Sequence, residues 1–208
     1  MSELIVAIPK THCPKLDIDI QRWAESYRIP TVITDTALQE HIARWGLPWF
    51  RAGAVVANRA GKILMIHEGR VQVKKIKDEA TRQRFLSEGY KPNAWVDGDG
   101  GWNLPAGRLT LDEYFEDGAG REVNEESGWK VTIKQHLCTR SSEKPGNQYI
   151  MPVFLADPVS GPDQYHTDET IEIGWFTVEE VRSLGVAGLL RSPESVIESL
   201  DAYQSIIG

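Results

Sequence analysis

Short apolar blocks separated by Gly, Pro and polar clusters run the length of the chain, and their periodicity predicts an alternation of strands and helices. Residues 4–8 read as a short buried strand, 17–27 as a helix, 31–34 as a second strand and 37–45 as a second helix. Gly46, Pro48 and Gly53 then punctuate the chain. They set a boundary near residue 48, dividing a small αβ extension, 1–48, from a main domain, 49–208. Residues 51–58 and 62–67 are apolar runs separated by Arg59, Ala60 and Gly61, a hairpin signal. A long insertion, 71–101, follows, with a helix expected over 78–88 and a turn-rich stretch at Asp97, Gly98, Asp99, Gly100 and Gly101. Strands are expected at 131–133 and 148–156, joined by a polar turn with Ser141, Ser142, Pro145 and Gly146. A further strand is expected at 171–176, after a polar loop at 166–170. Helices close the chain at 177–184 and 193–206, with Ser192 before Pro193 as a start signal.

Between these strands lies GRLTLDEYFEDGAGREVNEESGW, residues 107–129, the most acidic helical stretch in the chain. Thr110 and Glu113 have capping-box spacing, which starts a helix near residue 111, and Gly128 suits the left-handed residue that ends one after Ser127. Glu122, Glu125 and Glu126 stand at i, i+3 and i+4, so their carboxylates share one face and repel. Such a face is either solvated or neutralised by a cation, and hard oxygen ligands of this kind suit Mg²⁺ or Mn²⁺.

The spacing extends further. Gly107 is followed after five residues by Glu113, and after seven more by Arg121, Glu122, Val123, Glu125, Glu126, Gly128 and an apolar Trp129. Every fixed position of the Nudix box is present, and the chain resembles a Nudix hydrolase from about residue 51 to the C-terminus. The resemblance implies an α/β fold, the Nudix α/β/α sandwich with a mixed β-sheet. It also implies a Mg²⁺ ion, with Mn²⁺ as a substitute, held by Glu122, Glu125, Glu126 and the backbone carbonyl of Ala106, and hydrolysis of a phosphoanhydride bond. Arg121 is counted with the catalytic set as the residue that orients a box glutamate, with Glu113. Glu169, six residues before Trp175, matches the loop where family members place an extra acidic ligand or general base; Asp168 and Glu172 compete for that role. Trp102 is expected in the core. Among substrates, LPAG at 104–107 and Pro145 favour a nucleoside diphosphate derivative such as ADP-ribose or a nucleotide sugar. The alternative is a nucleoside triphosphate or another small organic pyrophosphate, since WNLPAG and LRSPESVIES also resemble phosphatase-like members. A nucleotide-binding sensor without catalysis is the reading from another class, and the intact set of box glutamates argues against it.

Composition narrows the partners. The chain has 208 residues, 41% of them hydrophobic, enough to bury a core. A net charge of -7 argues against general nucleic-acid or membrane-surface binding. Within this acidic protein the insertion is locally basic, with Lys74, Lys75, Lys77, Arg82, Arg84 and Lys91. It reads either as a solvated face or as a lid whose Lys74, Lys75 and Lys77 meet substrate phosphates. Cys13 and Cys138 have no zinc spacing and make no disulfide framework. Without a signal peptide or a membrane span, the expected location is cytoplasmic. The extension 1–48 could pack on the catalytic domain, form the surface of a homodimer, or roof the substrate. Gly118, Ala119 and Gly120 interrupt the box helix, where each glycine costs about 0.8 to 1.0 kcal/mol relative to alanine; tight packing against the sheet would explain them.

Overall fold

In the computed structural model the described residues are 49–208, apart from 77, 111–112, 143–148 and 163–168. The strands and helices expected within 1–48, as well as Lys77, Pro145, Gly146 and Asp168, lie outside them. The strands are β1 (Trp49–Val56), β2 (Ile63–Gln72), β3 (Trp95–Asn103), β4 (Ala106–Arg108), β5 (Lys130–Ser142), β6 (Tyr149–Ser160) and β7 (Thr170–Phe176). The α-helices are α1 (Glu79–Ser87), α2 (Phe115–Ser127), α3 (Val178–Val186) and α4 (Pro193–Ile207). Two sheets form, one ordered β4-β1-β6-β5 and the other β3-β2-β7. Among the described strands β1 and β6 pair in parallel and the other neighbours antiparallel.

Period-two alternation splits the core into two layers. From β1 and β2, Ala54, Val56 and Leu64 pack with Val123 of α2, while Val55, Ile63 and Met65 pack with Val181, Val196 and Leu200 of α3 and α4. Helices therefore cover both faces of the strands, the α/β/α sandwich expected. Among the described residues no helix is long and apolar enough to cross a membrane.

Several boundaries differ from the sequence expectation. The runs on either side of Arg59, Ala60 and Gly61 do not form a hairpin: β1 and β2 share a single bridge, Ala57 to Ile63, and then part into different sheets. The turn itself is made as expected, since Asn58 Oδ1 accepts from the amides of Ala60 at 2.9 Å and Lys62 at 3.0 Å, with Gly61 at φ 71. Because β1 is flanked by β4 and β6, it has no free edge left for β2. The glycine-rich stretch from Asp97 to Gly101 is strand, not turn, and pairs with β2 across a bulge between Glu68 and Arg70. A Cβ on Gly100 would meet the carbonyl oxygen of Glu68 at 2.7 Å, so close backbone approach, not chain reversal, accounts for glycine there. Ser141 and Ser142 belong to β5, which is much longer than expected because β6 pairs with it along its length.

The box helix also starts late. Its first residue is Phe115, with Tyr114 as N-cap and no capping side chain. Glu113 still accepts from the Thr110 amide at 2.9 Å, but its carboxylate is mainly engaged by Arg121, so the local motif closes the loop before the helix. The end is as expected, with Gly128 left-handed at φ 71. Tight packing explains one helix glycine only. A Cβ on Gly118 would collide with Leu109 and come within 3.1 Å of Glu113 Oε2, whereas one on Gly120 would meet nothing within 4 Å.

Candidate active site

Gly107 in β4 faces α2 so closely that a Cβ there would fall on the Glu122 carboxylate. A side chain at 107 would have to push the Glu122 carboxylate out of its present place. One turn further along α2, Glu126 Oε2 accepts from the Ala106 amide at 2.9 Å. The loop and the helix are thus stitched together by the glutamates themselves.

Arg121 sits on the opposite side of this cluster. Its Nε donates to Glu113 Oε1 at 2.7 Å, Nη1 to Glu125 Oε2 at 2.8 Å, and Nη2 to the Arg108 carbonyl at 2.8 Å. Nη1 also lies 2.9 Å from Glu122 Oε1. A planar guanidinium spends its donors here on three carboxylates and a carbonyl, which leaves it as an orienting residue. These interactions hold its pKa above the ordinary value, led by the hydrogen bond with Glu113. Burial raises Glu113, but its hydrogen bonds with Arg121 and Thr110 outweigh that and keep the carboxyl below its usual range.

Glu122 and Glu126 behave differently. Burial raises both, and for Glu122 the Arg121 guanidinium opposes the rise without cancelling it. Glu126 is partly exposed as a residue, but its carboxyl end is enclosed; burial and the charge of Glu122 push it up to about 8. The Glu169 charge raises it too, which brings that residue to the site electrostatically. Glu169 pairs with Arg70 at 3.3 Å, and its carbonyl accepts from the Gly69 amide at 2.6 Å. Of its two competitors, Glu172 stands 3.8 Å from His67 Nδ1, and Asp168 is outside the described residues.

Arg51 is the residue that sequence reasoning missed. Its Nη2 donates to the Ala106 carbonyl at 3.2 Å, its charge lowers the pKa of both Glu122 and Glu126, and its buried Nε has no hydrogen-bond partner. Nothing in the run WFRAGAVV marks Arg51 for this. A second buried polar group is Glu68, which accepts from Asn103 Nδ2 at 3.0 Å and pairs with Arg191. Trp102 packs as expected, stacked on His67 at 4.9 Å and edge-on to Phe176 at 4.8 Å.

Lys74 and Lys75 form the 3₁₀ turn Val73–Lys75, both exposed, and Lys75 lines a cleft that also contains Arg70. Arg82 and Arg84 are paired within α1 to Glu79 and Glu88, so much of the insertion's basic charge is offset locally.

Around Glu126 the donor set suits a hard divalent cation. Burial first, and then the charges of Glu122 and Glu169, push Glu126 up to about 8, and a bound cation would favour its charged form. As the side chains stand, Glu122 and Glu125 turn toward Arg121, and among the described residues no three acidic, His or Cys side chains converge at ligating geometry. Rotation of those side chains off Arg121 is what binding would require.

The NUDIX domain family model matches residues 48–193. The phosphatase NudJ of Escherichia coli K12 is 32% identical over 114 residues, 53% of this chain and 71% of that protein. Among solved structures, a NUDIX hydrolase from Nitrosomonas europaea superposes with a TM-score of 0.55 at 22% identity, covering 76% of this chain and 89% of that one. A UDP-X diphosphatase superposes with a TM-score of 0.52 at 15% identity, covering 94% and 86%. At those identities the structural likeness speaks to the fold. The sequence and family matches carry the rest: this chain belongs to the Nudix family. It is accordingly an enzyme, a pyrophosphohydrolase, of a family whose members need a divalent metal ion.

Proposed function

We propose that the chain catalyses Mg²⁺-dependent hydrolysis of the pyrophosphate bond in a nucleoside diphosphate derivative, such as ADP-ribose or a nucleotide sugar, with Mn²⁺ as a possible substitute. The observation that carries this reading is the gathering of box carboxylates at the Ala106 backbone, where Glu126 accepts from the Ala106 amide and Glu122 lies against Gly107. Glu122, Glu125, Glu126 and the Ala106 carbonyl would hold the ion, which when bound supplies charge neutralisation of the phosphates and an acidified water. Arg121 holds Glu113, Glu122 and Glu125 in place, and a cation competing for Glu122 and Glu125 would leave Arg121 its bonds to Glu113 and the Arg108 carbonyl. Glu169 is our choice for the general base, supported by its charge acting on Glu126. Lys74, Lys75 and Lys77 are assigned to the capture of substrate phosphates.

Relatives named as phosphatases keep a second reading in view, hydrolysis of a nucleoside triphosphate or another small organic pyrophosphate. One assay separates the readings: incubation with ADP-ribose, a nucleotide sugar and nucleoside triphosphates, following the release of monophosphate or inorganic phosphate. The expected outcome is AMP from ADP-ribose, abolished by EDTA and restored by Mg²⁺. Turnover that persists in EDTA would remove the metal from the mechanism, and turnover of triphosphates alone would favour the second reading.

We likewise divide the chain at residue 48, supported by the start of the family match there, and keep 1–48 as an extension that packs, dimerises or roofs the site. Brief proteolysis is expected to cut near that boundary and leave a fragment beginning close to residue 49. Cutting elsewhere first would argue against the division. A cytoplasmic location is in keeping with the free thiol of Cys138.

A further inference from the structure

We propose that the cleft between the insertion and the segment joining α3 to α4 seats the nucleobase of the substrate, with Trp95 as its stacking platform. This rests on the nucleotide reading above. The cleft holds about 360 Å³, the size of an ordinary small-molecule site.

Trp95 opens β3, opposite Gln72 of β2, and stays 41% exposed although it is the largest apolar side chain on this wall. The Arg191 guanidinium stacks over its ring, 4.6 Å from the centroid. Arg191 is fixed in turn by Glu68, and its amide donates to the Trp102 carbonyl at 2.9 Å. The indole is thus braced through a side chain that is itself anchored in the sheet, and a braced, half-exposed aromatic face is the arrangement on which planar rings stack at low entropic cost.

Residues of α1 and its N-cap also line the cleft. Asp78 caps that helix by accepting from the Thr81 amide at 2.7 Å, and Phe85 reaches the cleft with Tyr90 edge-on behind it at 5.3 Å. Gly98, Gly100 and Gly101 carry no side chains into the space. The lining thus combines the aromatic groups of Trp95 and Phe85 with Asp97, whose carboxylate is an acceptor for ring N–H or amino groups. A purely aliphatic ligand would gain nothing from the carboxylate.

The position of the cleft relates it to the chemistry. Arg70 lines it and pairs with Glu169, whose charge acts on Glu126. A nucleotide with its base on Trp95 would extend its phosphates past Arg70, with Lys75 also on the wall, toward the box carboxylates. The insertion then contributes recognition through its aromatic groups as well as through its lysines.

The experiment is calorimetric titration of the full chain, in Mg²⁺, with AMP, GMP, CMP and UMP, and with ribose 5-phosphate as the probe that lacks a base. At least one nucleotide is expected to bind more tightly than ribose 5-phosphate. Trp95→Ala should weaken that nucleotide roughly 5- to 150-fold, while Trp95→Phe stays within a few-fold of wild type. Neither change should alter the affinity for ribose 5-phosphate. Phe85 also lines the cleft, and Phe85→Ala tests the same site away from the Arg191–Trp95 contact and should give the same selective loss. The inference is overturned if no nucleotide exceeds ribose 5-phosphate, if every nucleotide binds the variants as it binds wild type, or if ribose 5-phosphate is lost in parallel. Monophosphates contain no anhydride bond, so selective binding without any pyrophosphatase activity would fail the proposed function and leave the base site standing.

Discussion

Glu126 is held in the field of two other carboxylates, and the consequences for a single substitution are opposite in the metal-free and working protein. Its pKa, about 8 in the folded protein against an ordinary value of 4.5, is raised by burial first and by Glu122 second. A group raised in this way contributes no penalty below its unfolded pKa, and stability is lost as pH climbs toward and through the folded value. Glu126→Gln removes the ionisation. In EDTA the variant should therefore melt above wild type at pH 8, by an amount on the order of a few kcal/mol at most, with the difference vanishing near pH 4. In Mg²⁺ its kcat should fall by roughly 10² to 10⁴, by analogy with loss of a positioned acid or base. Thermal melts across pH, paired with single-turnover hydrolysis, check both halves. A variant that hydrolyses at the wild-type rate would show that Glu126 does not ligate, and one that melts lower at every pH would show that it is a structural residue.

At the scale of the element, α2 contains two glycines that the sequence treats alike and the packing does not. Gly120 faces open space, so Gly120→Ala should recover the helix propensity and stabilise the protein by about 1 kcal/mol. Gly118 is buried against Leu109 and the Glu113 carboxylate that anchors Arg121. An added methyl there must displace one or both, so Gly118→Ala should lower the melting temperature and depress kcat as well. Urea titration of the two variants side by side makes the comparison. Equal effects would mean that the loop before α2 yields easily and that its contact with Gly118 is unimportant. The same element shows how far a local motif reaches. Capping-box spacing at Thr110 and Glu113 is present, and one of its hydrogen bonds forms, yet the helix starts only at Phe115, and the same carboxylate also accepts from Arg121, eight residues away.

For the molecule as a whole, the insertion is the part we propose meets the substrate. Neutralising Lys74, Lys75 and Lys77 together should raise KM several-fold and flatten its dependence on salt, with kcat almost unchanged, the mark of binding lost equally from ground and transition states. Steady-state kinetics at two ionic strengths test it. If KM and its salt response stay as in wild type, the lysines are a solvated face and recognition belongs to the rest of the cleft. Pairing of Arg82 and Arg84 within α1 already withdraws them from that task.

The clustering of the box residues was legible in the chain because the box is contiguous. Gly107, Arg121, Glu122 and Glu126 are brought together by one loop and one helix, whose spacing follows from the helical repeat, and Gly128 ends that helix where a left-handed residue is needed. The alternating apolar runs likewise determined two buried layers and the strands that fill them. What tertiary structure alone decided were the long-range partners. Arg51 comes to the Ala106 carbonyl from 55 residues away, β1 leaves β2 for β4 and β6, and a glycine-rich stretch that locally favours a turn becomes a strand through its pairing with β2. Glu169 acts on Glu126, and Arg191 crosses from the last loop to brace Trp95, by the same route. Sheet pairing and charge act through space, and nothing in local periodicity encodes which distant residues they will join.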